Sequence, residues 1–253
     1  MIKQNASNKD PNLPEQSHAV ILLASGLSQR LGQPKQLLKK QSQPLLEVMT
    51  NLAMTTNPSA ILLVVASLQS ETIQLGQTLA AQNNVVMPVI NTEPEQGMAH
   101  SLSLAIDTLT AKVAQGLHIE RVLILGVDQI LLEATHLQQL LVGDNGIRGI
   151  KQVDSYNKVI ASHYPKSYEI TEKTSSHLEH TDDSKSIVGL PINIDYQLLT
   201  QWQPLLNGDK GLRYLIRSLS SEELSVVDNS KLSLDIDTPE QLQFAIKQGW
   251  LDP

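Results

Sequence analysis

The stretch AVILLASGLSQRLGQPKQLL, residues 19–38, decides the fold. Its first six residues, Ala19 to Ala24, are apolar without alternation and stop at Ser25-Gly26. A short unbroken run rich in Ile, Leu and Val that ends in small residues is the pattern of a strand buried on both faces. The loop that follows can cradle phosphate, because small residues let backbone amides approach an anion while Arg30 and Lys35 neutralise its charge. Gly32 is followed by Gln33 rather than Lys-Ser/Thr, and no G-x-G-x-x-G occurs, so neither a Walker loop nor a dinucleotide fingerprint is present. On residue types alone, an ordinary strand-to-helix loop with two surface cations is the competing reading.

Working outward, further apolar runs at 61–66, 85–90 and 121–127 predict buried strands. Amphipathic stretches at 44–54, 71–81, 97–113 and 133–141 predict helices between and after them. In the third of these, Ala99, Leu102, Ile106, Leu109 and Val113 fall at helical spacing. Alternating strands and helices predict an α/β fold of three layers, α/β/α, with a mostly parallel central sheet covered on both faces. Ligands of such sheets bind beyond the carboxyl ends of the strands, which directs attention to the residues after Ala24, Ile90 and Val127. The second half predicts strands at 158–162, 225–227 and 232–236 and helices at 196–202 and 210–219. Thr238-Pro239-Glu240 opens a last helix with Pro at its first position. Residues 1–17 are polar and predict a disordered leader before a single domain at 18–253. Residues 167–186 predict an exposed loop insertion, where His177 and His180 are read as solvated, a metal pair being the alternative.

Composition narrows the function classes. The 253 residues contain no cysteine, which excludes disulfides and thiolate metal sites. A formal charge of −7 argues against general nucleic-acid binding but not against one nucleotide, whose phosphates need only local cations. No apolar run approaches the ~20 residues of a membrane span, and residues 1–17 hold no signal-peptide core. A cytoplasmic protein is the expectation. Aromatic residues make up only 3% of the chain, so the core must be built from Leu, Ile, Val and Ala.

Residues 23–38 resemble the signature loop of the MobA-like nucleotidyltransferases, L-A-A/G-G-x-S-x-R-M-G-x-x-K, with Leu31 where the family has Met. Four further segments agree in order: Pro44-Leu45-Leu46; Gly97-Met98 with Ser101-Leu102; Asp128-Gln129 after a strand; and Asp235-Ile236-Asp237-Thr238-Pro239-Glu240. Among the branches of the family, the chain is most similar to the molybdenum cofactor cytidylyltransferases. The resemblance implies a Rossmann-like nucleotidyltransferase fold, CTP and molybdopterin as substrates, Mg²⁺ as cofactor, and a molybdoenzyme as recipient of the product. GTP, another phosphorylated acceptor such as a sugar phosphate, and a weakly catalytic carrier of cofactor are the alternatives.

The resemblance also assigns residues. Arg30, Lys35 and Asp128 are the expected catalytic groups. Leu23, Ala24, Ser25 and Gly26, with Arg30, Lys35, Gly97, Met98 and Ser101, are expected to bind nucleotide. Asp128 and Asp237 are expected to hold the metal, with Asp235 as the alternative to Asp237 and helix capping as the competing role for both Asp128 and Asp237. Lys210 is expected on the acceptor side. Three departures stand out: Ile130 replaces the Pro of D-Q-P, Leu190 replaces the His of G-H-P, and the polar stretch at 167–186 is inserted beside that same region; Ser25, where the branches have Ala or Gly, matches neither.

Overall fold

The computed structural model describes residues 17–142, 157–166, 186–206 and 211–253. The predicted leader up to residue 16, the insertion at 167–185 with its two histidines, and Lys210 lie outside the described residues. Ser17, assigned by sequence to the leader, is tied down by hydrogen bonds to Ser59 and the carbonyl of His118.

The opening run forms β1 (His18–Ala24), buried throughout. A short ribbon follows, β2 (Lys39–Lys40) with β3 (Gln43–Pro44), and leads into α1 (Leu45–Met54). Then come β4 (Ala60–Ala66), α2 (Ser70–Gln82), β5 (Val86–Asn91), α3 (Gly97–Ala114), β6 (Arg121–Gly126) and α4 (Ala134–Val142). The second half contributes β7 (Val159–Pro165), β8 (Ser186–Asp195), α5 (Tyr196–Trp202), α6 (Gly211–Ile216), β9 (Leu224–Asp228) and α7 (Pro239–Lys247). Seven strands form one sheet in the order β5-β4-β1-β6-β8-β7-β9. Every neighbouring pair is parallel except the two that involve β8.

Alternation of side chains along buried strands divides the core into two layers. Val20 and Leu22 of β1 and Ile61 and Leu63 of β4 face Leu45, Leu46, Leu137 and Ala245, from α1, α4 and α7. Their neighbours Ile21 and Leu62 face Leu102, Ile106 and Leu109 of α3, Leu199 of α5 and Leu215 of α6. Each fully buried Leu or Ile stabilises the fold by roughly 1.5–3 kcal/mol. Helix packing on both faces hides the sheet from water, as the strand–helix alternation predicts.

The second half holds one strand that the sequence reading does not foresee and one predicted strand that does not form. Residues 187–195 belong to a ten-residue strand, β8, whose Ile192 and Ile194 are fully buried. Gly189 and Pro191 break its apolar pattern, and its pairing with β7 is irregular between Ala161 and Ser162. Residues 232–236, predicted as a strand, instead form part of a 3-10 turn at Ser230–Ser233 and an extended loop. Leu232, Leu234 and Ile236 point into the core while Asp235 and Asp237 line a cleft. Period-two alternation therefore arises there from burial on one side, without a hydrogen-bonded strand partner.

Candidate active site

The parallel strands β1, β6 and β7 all end at one edge of the sheet, and a cleft of about 1350 Å³ opens there. Leu23, Ser25, Gly26 and Arg30 from the first loop line it, with Gly97, Met98 and Ser101 from the start of α3. Asp128 and Lys35 lie in the same cleft, and the loop after β9 brings in Asp235 and Asp237. Ala24 is 1% exposed and does not line the cleft; its carbonyl accepts from the Gln36 amide at 2.6 Å. The tertiary structure thus collects every predicted site residue within the described chain except Ala24, which supports the loop from behind.

Lys35 is the hub. Its Nζ donates to Asp237 at 2.5 Å, to Asp128 at 3.0 Å and to Asp235 at 3.5 Å. Burial on its own lowers the affinity of an amine for its proton, but the charge of Asp128, the bond to Asp237 and the field of Asp235 outweigh it and raise the Lys35 pKa above its usual value. Arg30 forms a second ion pair with Asp237 from the solvent side. Burial raises the Asp237 pKa, yet Lys35 and Arg30 together bring it below the ordinary carboxylate value. Partial burial and the negative charge of Asp128 push Asp235 up to about 6, against the pull of Lys35. The Asp235 side chain is nevertheless 58% open to solvent, which leaves it accessible from the cleft.

Neither metal candidate acts as a helix cap. The N-cap of α7 is Thr238, which forms a capping box with Gln241, so the Asp237 carboxylate is left for Lys35 and Arg30. Asp128 lies in the turn after β6, well before α4, and its carboxylate turns back to Lys35. A Cβ on Gly126 would come within 2.9 Å of the Asp128 Oδ1, so a side chain there would push that carboxylate aside.

The loop around Gly26 is held from below and open above. Gln36 donates to the carbonyls of Ala24 and Gly26, and Gln69 donates to Gly26 as well. The amides of Gly26, Leu27, Gln29 and Arg30 meet no acceptor among the described residues. Amides left free at the carboxyl end of a buried strand suit an anionic ligand. Ser25 pairs with Ser101 at 2.6 Å, and Ser101 accepts from Asn91 at 2.9 Å, which fixes the loop to the first turn of α3. Gln36 lies within the matched run but has no role assigned by it, and Gln69 and Asn91 carry no motif that separates them from surface amides; only their hydrogen bonds to this loop and to Ser101 reveal them.

The departures from the family pattern also acquire places. Gln129 accepts from the Gly126 amide and donates to the Leu190 carbonyl, joining the end of β6 to the middle of β8. Ile130 is buried in the core, replacing a rigid turn with an apolar anchor. Leu190 lines the cleft beside Tyr164, whose hydroxyl lies 3.1 Å from where a Cβ on Gly189 would stand. Tyr164, Lys166, Arg213, Tyr214 and Arg217 are further lining residues that the motifs do not include.

A nucleoside triphosphate requires free amides, fixed cations and carboxylates that can share a divalent ion. This cleft offers all three at the ligand edge of a parallel sheet. The family whose pattern matches, over residues 20–224, is the MobA-like NTP transferase domain, and the chain belongs to that family. It is a nucleotidyltransferase of Rossmann-like α/β fold. No curated protein matches it.

Solved structures agree on the fold. Rv0371c from Mycobacterium tuberculosis H37Rv is 19% identical, with 92% of this chain and 98% of that chain covered and a TM-score of 0.59. A nucleotidyl transferase from Methanothermobacter thermautotroptrophicus is 14% identical, covering 92% and 97%, with a TM-score of 0.62. The 4-diphosphocytidyl-2C-methyl-D-erythritol synthase from Anaerococcus prevotii DSM 20548 is also 14% identical, covering 92% and 96%, with a TM-score of 0.56. Rv0371c is also known in a complex with manganese.

Proposed function

We propose that the protein transfers a cytidylyl group from CTP to the phosphate of molybdopterin and releases pyrophosphate. The observation that carries this reading is the convergence of Asp128, Asp235 and Asp237 on Lys35, beside the open amides of the Gly26 loop. An oxygen of the acceptor phosphate attacks the α-phosphorus of CTP. The new P–O bond forms as the bond from that phosphorus to the bridging oxygen breaks, and the electron pair leaves with pyrophosphate. Arg30, Lys35 and the loop amides hold the triphosphate in line and stabilise charge that builds on its oxygens.

Three carboxylates would repel a triphosphate if left uncompensated, so the site needs more positive charge than Arg30 and Lys35 provide. Mg²⁺ fits this donor set of hard carboxylate oxygens, with Asp128 and Asp237 as its holders. Among the described residues no three acidic or histidine side chains stand close enough to hold a metal by themselves. That suits Mg²⁺, which takes one or two carboxylates and completes its shell with phosphate oxygens and water. The ion supplies charge neutralisation on the triphosphate when bound. The manganese complex of Rv0371c supports a divalent metal on this fold.

The cytidylyl reading rests on the motif resemblance, with Ser25 as a tolerated variant of the family Ala. A second reading keeps CTP and changes the acceptor to a sugar phosphate. The 4-diphosphocytidyl-2C-methyl-D-erythritol synthase shares the fold, and Leu190 lines the cleft where the family has His. A recipient molybdoenzyme and a cytoplasmic setting complete the first reading, and no helix among the described residues is long and apolar enough to cross a membrane. The test is pyrophosphate release from purified protein, Mg²⁺, molybdopterin and either CTP or GTP, beside the variant Asp128→Ala. Release with CTP alone, reduced at least ~100-fold by the substitution, is expected. Release with GTP alone, or with a sugar phosphate but not molybdopterin, would overturn the cytidylyl or the pterin part respectively.

A further inference from the structure

The cleft has a second cationic wall that the catalytic cluster does not use. Lys166 follows the carboxyl end of β7, and Arg213 and Arg217 come from α6 and the turn beyond it. The Arg217 amide donates to the Arg213 carbonyl, so the helical turn continues and the two side chains, four residues apart, share one face. That face lines the cleft. Like charges at this spacing repel, and no carboxylate among the described residues pairs with Arg213, Arg217 or Lys166. Arg30 and Lys35, by contrast, are both engaged by aspartates. In a chain with a net charge of −7, three cations that line one cleft and meet no carboxylate among the described residues point to an anion. Tyr214, 68% exposed, and Met98, 55% exposed, line the same cleft and offer apolar surface to a flat ring. The field of Arg213 reaches Tyr164, which also feels Asp128 and Asp235, so this wall stands within electrostatic reach of the reacting centre.

We propose that Lys166, Arg213 and Arg217 seat the phosphate monoester of the acceptor, and that Tyr214 and Met98 carry its planar ring. This assignment rests on the transferase reading above, moves the centre of acceptor recognition from Lys210 to Lys166, Arg213 and Arg217, and takes Met98 from the nucleotide side to the acceptor side. It makes the acceptor an aryl- or heterocycle-linked phosphate monoester. Two anions then meet in one cleft: the triphosphate on Arg30, Lys35 and the loop amides, and the monoester on Lys166, Arg213 and Arg217.

The test titrates phenyl phosphate into the full chain by calorimetry, with and without a non-hydrolysable CTP analogue and Mg²⁺. Arg213→Gln/Arg217→Gln is the variant; both residues are exposed, so folding is unaffected and thermal melting checks it. Phenyl phosphate should bind the wild type, and phenol should not. The double variant should bind it at least about tenfold more weakly, with affinity for the CTP analogue unchanged. Tyr214→Ser should weaken phenyl phosphate more than methyl phosphate. Equal binding of phenyl phosphate by wild type and double variant would overturn the proposal, as would no binding by the wild type. A parallel loss of affinity for the CTP analogue would assign the arginines to the triphosphate instead. Arginine-dependent binding of phenyl phosphate by a protein that binds no nucleotide would keep this seat and remove the transferase reading.

Discussion

Replacing Lys35 by Met removes the one ammonium that lies 3.0, 3.5 and 2.5 Å from Asp128, Asp235 and Asp237. Methionine keeps the stem and most of the volume, so the loss is electrostatic. Removing one partner of a fully buried pair costs about 3–5 kcal/mol. Here the three acid side chains are 33%, 58% and 25% exposed, and water screens part of that. The expected destabilisation of metal-free protein at pH 8 is therefore about 2 kcal/mol. The cost should depend on pH. The raised Lys35 pKa means its contribution is complete below 10.5 and is lost only as pH climbs through the higher folded value, so Lys35 itself does not titrate between pH 5 and 8. Asp235 does, because its carboxyl is pushed up to about 6. Between 3.8 and about 6 the folded state holds more protons at Asp235 than the unfolded state, and stability falls as pH rises. Without Lys35 the Asp235 carboxylate binds its proton more tightly still, so this window moves upward in the variant. The difference between wild type and Lys35→Met should shrink to about 1 kcal/mol at pH 5, where Asp235 is largely protonated. Urea unfolding in EDTA at the two pH values measures it, and Mg²⁺ at pH 8 should recover part of the loss. A difference that is the same at both pH values, within about 0.5 kcal/mol, would refute the account of Lys35 as the counter-ion of a three-carboxylate cluster.

Three further substitutions separate binding from stability. Arg30→Ala removes a side chain that is 72% exposed, so unfolding should change by less than about 0.5 kcal/mol while the KM for CTP rises roughly tenfold. Thr238→Ala breaks the capping box of α7 and should cost about 1 kcal/mol in urea unfolding. Ser25→Ala removes the 2.6 Å bond to Ser101, which keeps Asn91 as a donor. It should cost about 1 kcal/mol and leave the preference for CTP over GTP unchanged in pyrophosphate release.

Much of the fold is local and therefore legible in the sequence. Runs such as Ala19 to Ala24 and Val122 to Leu125 are too uniformly apolar to lie anywhere but the middle of a covered sheet, and α3 announces itself by spacing. The ligand edge follows from those strands, since a parallel sheet places all their carboxyl ends together. Arg30, Lys35 and Asp128 are readable on that ground, because each sits just after a buried strand or in the loop that leaves it. What resists reading is whatever depends on partners distant in the chain. β8 is built from an interrupted pattern that becomes a strand only when β6 and β7 flank it with antiparallel hydrogen bonds. Residues 232–236 alternate like a strand, yet alternation reports burial on one side and cannot report whether a ladder partner exists. Asp235 and Asp237 are more than 100 residues from Asp128 and 200 or more from Lys35, so no spacing rule places them around one ammonium. The sequence by itself determined the strand–helix alternation, the small-residue loop after the first strand and the acids available to it. The tertiary structure alone decided which acids surround Lys35, which amides stay open and which arginines line the cleft, because electrostatics and burial act through space between residues the chain keeps far apart.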